Sequence, residues 1–145
     1  MIYMGIDPGK DGAFAFIDEE GQTIVRPFDR TEFVETCRAI SRAPVVCCLE
    51  QVHSMPKQGV SSTFNFGKSA GYLEGVLEAF CIAYQLVTPQ KWKKEFSLGN
   101  TKQNSIDVCH QLFPGVSLKR TDKCKKDHDG MAEALLMALY AKRKF

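Results

Sequence analysis

No apolar run in this sequence approaches the roughly 18–20 residues that a helix needs to cross a bilayer, so no membrane partner is expected. Residues 1–7 have neither a basic leader nor a cleavage site, and they read as a first strand rather than a signal peptide. The six cysteines, Cys37, Cys47, Cys48, Cys81, Cys109 and Cys124, include no CxxC pair and no Cys/His spacing suited to zinc. Cys47 and Cys48 are adjacent in an apolar run, where neighbouring side chains point to opposite faces of a strand, so the pair is badly placed for a disulfide. Reduced, buried thiols in a cytoplasmic protein are the expectation. There is also no internal repeat, no low-complexity stretch and no Ser or Tyr nucleophile motif.

What is present has the size of one compact domain, taken here as residues 1–145. The net charge of +2 conceals an asymmetry. Residues 86–126 hold nine Lys/Arg against three Asp/Glu, a local +6 that leaves −4 for the rest. Such a split fits a polyanionic partner or a merely solvated basic face.

Residues 2–6, 13–18 and 22–26 read as three strands joined by the turn-rich segments 7–12 and 19–21, an antiparallel meander. Thr31 is placed to cap a helix running to about residue 41, with Phe33, Val34, Cys37 and Ile40 on its apolar face. Residues 45–49 form a continuous apolar run typical of a strand buried on both faces, and Glu50 stands at its end. A loop over residues 52–62 leads into a long helix from about 63 to 83, with Phe66, Ala70, Leu73, Leu77 and Phe80 at core spacing. A short strand at 85–87 precedes a helix capped by Thr88 with Pro89 in its first turn. Thr101 caps another helix to about 113, a basic loop spans 114–126, and a last helix runs from near His128 to Lys142. A meander followed by alternating helices and strands predicts a mixed five-stranded sheet flanked by helices.

Three acidic positions carry the chemistry. Asp7 follows an apolar strand and precedes Pro-Gly, where an acid also serves simply as a turn former. Glu50 ends the most apolar strand, where a lone carboxylate is costly unless paired or bound to a metal. Asp129 and Glu133 sit at i and i+4 near the start of the last helix, on one face, and repel each other unless a cation lies between them. Asp127 or Asp129 also reads as a plain helix cap. If the first and fourth strands are neighbours, these acids converge at one sheet edge. Such an oxygen-rich cluster suits Mg²⁺ or Mn²⁺, and two ions about 4 Å apart activate water and stabilise the leaving oxygen of a phosphodiester.

Ile-Asp-Pro-Gly after a first strand, Leu-Glu-Gln at the end of a fourth, and His-Asp-Gly-Met-Ala-Glu-Ala-Leu-Leu-Met-Ala in a last helix resemble the RuvC-like Holliday junction resolvases. The segment from Lys57 to Gly67 and the run Val87-Thr-Pro-Gln-Lys-Trp-Lys93 look like the compact bacteriophage branch of that family. The resemblance covers nearly the whole chain. It implies a ribonuclease H-like fold, a homodimer formed through the long helix, and Mg²⁺-dependent cleavage of four-way or branched DNA to 5′-phosphate and 3′-hydroxyl ends. It implies the cytoplasm of a bacterium or of a phage-infected host, with two Mg²⁺ ions per site that Mn²⁺ replaces. Carried across, Asp7, Glu50, Asp129 and Glu133 are the catalytic metal ligands, with Asp127 in reserve for Asp129. The family often has Asp where this chain has Glu133, and His128 stands where some relatives use a histidine.

His53, Met55, Lys57 and Gln58 follow Glu50 closely enough to touch DNA, and Met55 suits a wedge between bases at a branch point. Lys68, Lys91, Lys93, Lys94, Lys119 and Arg120 are candidate phosphate contacts, which position a duplex without reading its sequence. Trp92, set between lysines, fits a half-buried anchor for its short helix better than a stacking surface. A ribonuclease H-like nuclease acting on RNA–DNA hybrids or flaps, and a catalytically idle DNA-binding relative, are the alternatives. An actin-like nucleotide-binding fold needs two duplicated domains, so no nucleotide cofactor is expected.

Overall fold

The computed structural model describes residues 1–53 and 55–145; Ser54, within the expected 52–62 loop, lies outside the described residues. Five strands form one sheet in the order β3-β2-β1-β4-β5: β1 is Ile2–Asp7, β2 Ala13–Asp18, β3 Thr23–Pro27, β4 Val45–Glu50 and β5 Ala83–Val87. β1 pairs antiparallel with β2 and β2 with β3, while β4 runs parallel to both β1 and β5. This is the mixed five-stranded sheet that the meander and the later αβ alternation predict.

The helices are α1 (Arg30–Ile40), α2 (Val60–Ala79), α3 (Pro89–Glu95), α4 (Lys102–Leu112) and α5 (Asp129–Lys144). The side-chain alternation of β1 sorts them into two layers. Met4 and Ile6 pack with Phe33, Cys37, Leu73 and Leu77 of α1 and α2. On the opposite face Cys48, Val87 and Trp92 pack with α5, whose buried residues run from Gly130 to Ala141. Cys47 and Cys48 therefore belong to different layers, and the six cysteines are free, but Cys81 at the end of α2 is exposed and Cys124 in the basic loop half-buried, against the expectation that all are buried. Burial pushes the Cys37, Cys48 and Cys109 thiols up to about 12, so they act as small apolar groups. Among the described residues, no helix is long and apolar enough to cross a membrane.

The α1 cap and both ends of α2 differ from expectation, each for a local reason, and β5 starts at Ala83 rather than at residue 85. The cap of α1 is Asp29, whose carboxylate accepts from the Glu32 backbone N–H at 2.9 Å; Thr31 falls inside the helix. α2 starts three residues early, at Val60 after Gly59, and ends at Ala79. Its end is a Schellman turn: Cys81 adopts a left-handed φ of 54°, and the Ile82 N–H donates to the Leu77 carbonyl at 2.9 Å. Glycine normally marks that position, and its absence hides the stop. Phe66, at core spacing in α2, is only half buried and joins neither core cluster; it lines a surface hollow beside Gly9 and Lys10.

Candidate metal centre

Parallel pairing of β1 with β4 places Ile6 opposite Leu49, so the next residues, Asp7 and Glu50, emerge together at the same sheet edge. Both lie on the α5 side of the sheet by strand alternation. Glu133 reaches them from the second turn of α5. One carboxylate oxygen from each of Asp7, Glu50 and Glu133 lies within 4.8 Å of the others. A Cβ on Gly130 would fall 2.8 Å from Asp7 Oδ2 and 2.7 Å from the Asp11 carbonyl, so a glycine lets the positive end of α5 press against Asp7.

The electrostatics of this cluster are those of acids lacking enough positive charge. Burial, and then the charges of Glu50, Glu133 and Asp129, raise the Asp7 pKa from 3.8 to about 8, with Lys93 opposing. Burial also raises Glu50, partly offset by a hydrogen bond from Trp92. Lys93 Nζ lies 3.2 Å from Glu133 Oε1, and its charge also favours the ionised forms of Asp7 and Glu50. Three half-buried oxygen donors, with no nitrogen or sulfur among them, fit a hard divalent cation, whose charge would restore the ionised carboxylates.

Asp129 is held elsewhere. Its Oδ2 is 2.9 Å from Lys102 Nζ. Burial pushes its carboxyl up, but the Lys102 hydrogen bond and charge outweigh that and hold it below the usual range. Asp127 pairs with His110 Nε2 at 2.7 Å, away from the cluster. The cap of α5 is neither acid but His128, whose Nδ1 accepts from the Met131 N–H at 3.1 Å. Burial and then Arg120 lower the His128 pKa, which favours the neutral ring that this cap requires.

No family model matches the chain, and no curated protein sequence matches it. Solved structures do. RuvC of Thermus thermophilus in complex with a Holliday junction substrate superposes with a TM-score of 0.58 at 15% identity, covering 99% of this chain and 97% of that one. A second structure of Thermus thermophilus RuvC gives 0.54 at 16% identity, covering 99% and 96%. The fold is RuvC-like.

On this RuvC-like frame the candidate DNA-contacting residues fall in four places. His53, Met55 and Lys57 are exposed beyond Glu50, with Met55 at 70% exposure. Gln58 is instead a local brace, accepting from the Met55 N–H at 3.0 Å and donating to Ser62 Oγ at 2.9 Å. Lys68 is exposed on α2. Lys91 and Lys94 are exposed on α3, and Lys93 and Lys94 border a groove of about 570 Å³ that also takes in Gln90, Ser97 and Asn100. Lys119 and Arg120 are exposed in the basic loop, where Arg120 reaches Asp11 at 3.3 Å.

Sequence reasoning missed the side chains that brace the acids. Trp92 is fully buried, and its indole N–H donates to Glu50 Oε2 at 2.8 Å. The Ser105 hydroxyl donates to Glu133 Oε1 at 3.1 Å. A clue existed for Trp92, because a buried indole N–H needs an acceptor. Nothing in the sequence marks Ser105 or Lys102.

Proposed function

We propose that this chain is a divalent-metal-dependent endodeoxyribonuclease that cuts four-way or otherwise branched DNA, leaving 5′-phosphate and 3′-hydroxyl ends. The observation that carries the reading is the convergence of Asp7, Glu50 and Glu133 from three elements of a RuvC-like fold. These three residues would hold Mg²⁺, or Mn²⁺ in its place; Asp129 joins them only by leaving Lys102. A bound ion would supply positive charge to offset the negative charge developing on the phosphodiester and would lower the pKa of water so that it gives up a proton and becomes a nucleophile. Lys93 and Lys102 keep positive charge beside the acids, where it favours a phosphate. The exposed lysines of α3 and of residues 119–126 hold the duplex by charge and set its register. Six free thiols, four of them buried, and the substrate class fit the cytoplasm of a bacterium or of a phage-infected host.

The decisive experiment incubates the protein with an end-labelled four-way junction in Mg²⁺ and then in Mn²⁺. Paired nicks across the junction are expected, with linear duplex left intact. Binding without cleavage under both metals defeats the nuclease reading. Cleavage of RNA–DNA hybrids but not junctions moves the assignment to another ribonuclease H-like activity.

The assembly we propose is a homodimer through the outer face of α2. Val60 is 89% and Phe64 70% exposed there. Gly67, Gly71 and Gly75 follow at four-residue spacing on the same face, and a Cβ at any of them would meet nothing within 4 Å. Each costs about 1 kcal/mol of helix stability relative to alanine, and the single chain gains nothing in return. Lys68 and Glu74 stand three residues either side of Gly71, so a two-fold axis there pairs opposite charges. Sedimentation is expected to show a dimer for the wild type and a monomer for Phe64→Asp, with unchanged circular dichroism. A wild-type monomer at concentrations that cut junctions removes this part of the reading.

A further inference from the structure

The two glutamates of the centre are each gripped by a neutral, buried donor from the α3–α4 segment. Trp92 has no exposed surface, and its indole N–H crosses 42 residues of sequence to reach Glu50. Ser105 is 2% exposed and donates its hydroxyl to Glu133. A glutamate has one more side-chain torsion to fix than an aspartate, so Glu50 and Glu133 need an external hold more than Asp7 does. A neutral N–H or O–H is well suited to supply it. It ties one oxygen, leaves lone pairs on the carboxylate for a cation, and brings no positive charge to compete with that cation. Lys93, also bound to Glu133, lacks this last property.

We propose that Trp92 and Ser105 are positioning residues that fix Glu50 and Glu133 in their metal-binding arrangement before the ion arrives. The inference rests on the metal reading above. It extends that reading to residues that touch neither ion nor DNA.

The test compares the wild type with Trp92→Phe and Ser105→Ala. Mn²⁺ affinity is measured by titration calorimetry, and melting temperature in chelator and in saturating Mn²⁺. Each variant is expected to bind Mn²⁺ about 10–100-fold more weakly than the wild type while still melting cooperatively in chelator. Its Mn²⁺-induced rise in melting temperature shrinks accordingly. A variant that melts lower in chelator but binds Mn²⁺ as tightly as the wild type shows a structural role only and overturns the proposal. Should Trp92→Phe fail to fold, wild-type emission decides its case, because Trp92 is the only tryptophan. Saturating Mg²⁺ must then shift that emission, and no shift overturns the role of Trp92. A wild type that takes up no Mn²⁺ sinks the metal reading itself, and the positioning role with it.

Discussion

Asp7→Asn is expected to abolish junction cleavage and, with metal removed, to make the protein more stable at neutral and alkaline pH. Asparagine keeps the shape of the side chain but removes the charge that burial and three neighbouring acids oppose at Asp7. Losing several kcal/mol of charge stabilisation at a metal-dependent centre lowers the rate by about a thousandfold or more. The stability effect follows from linkage. The Asp7 carboxyl ionises near pH 3.8 in an unfolded chain but only near pH 8 in the folded one. Between those values the unfolded chain has released a proton that the folded one still holds, so wild-type stability falls as pH rises through the window. Above it the penalty is constant, on the order of a few kcal/mol. Asparagine has no proton to lose and escapes the penalty. Melting curves in chelator should therefore diverge from about pH 4 to about pH 8 with the variant the more stable, and excess Mn²⁺ should narrow the gap by binding the folded wild type. Equal melting temperatures across that range would show that Asp7 is not buried against other acids.

On the proposed reading the centre gives up stability for function, and that conflict made part of it readable. Asp7 and Glu50 stand out because each ends a strongly apolar strand, where a carboxylate needs a reason to be. Strand pairing was also legible, because short hairpin links force the meander and the apolar run before Glu50 demands cover on both faces. The last helix was harder. Spacing puts Asp129 and Glu133 on one face, but the choice between them turns on Lys102 and Ser105, which approach from another helix. Contacts made across the chain leave no periodic trace in sequence. Trp92 is the same case: its burial was underestimated because the lysines around it suggested solvent. The end of α2 was misplaced because Cys81 takes a conformation that a reader expects of glycine.

Gly5→Ala is expected to destabilise the protein by more than about 3 kcal/mol, a large share of the 5–15 kcal/mol typical of a folded domain. A Cβ there would lie 2.2 Å from the Ala134 carbonyl oxygen, 2.3 Å from the Ala138 nitrogen and 2.8 Å from the Met137 carbonyl carbon. These are backbone atoms of α5, so no rotamer change relieves the clash; strand and helix must separate. α5 supplies much of one layer of the core, and β1 is the central strand, so the separation opens voids through that layer. A fall in melting temperature of roughly 10 °C or more corresponds to that loss. The damage also reaches the centre, because Ala134 directly follows Glu133. Moving α5 off β1 carries Glu133 away from Asp7 and Glu50, so whatever protein remains folded should bind Mn²⁺ weakly. Calorimetric melting, paired with Mn²⁺ titration below the transition, tests both halves. A variant that melts within a few degrees of the wild type and binds the ion normally would mean that α5 does not sit this close to β1. The close approach that forbids a methyl group at Gly5 is also what brings a helix carboxylate within reach of two strand ends.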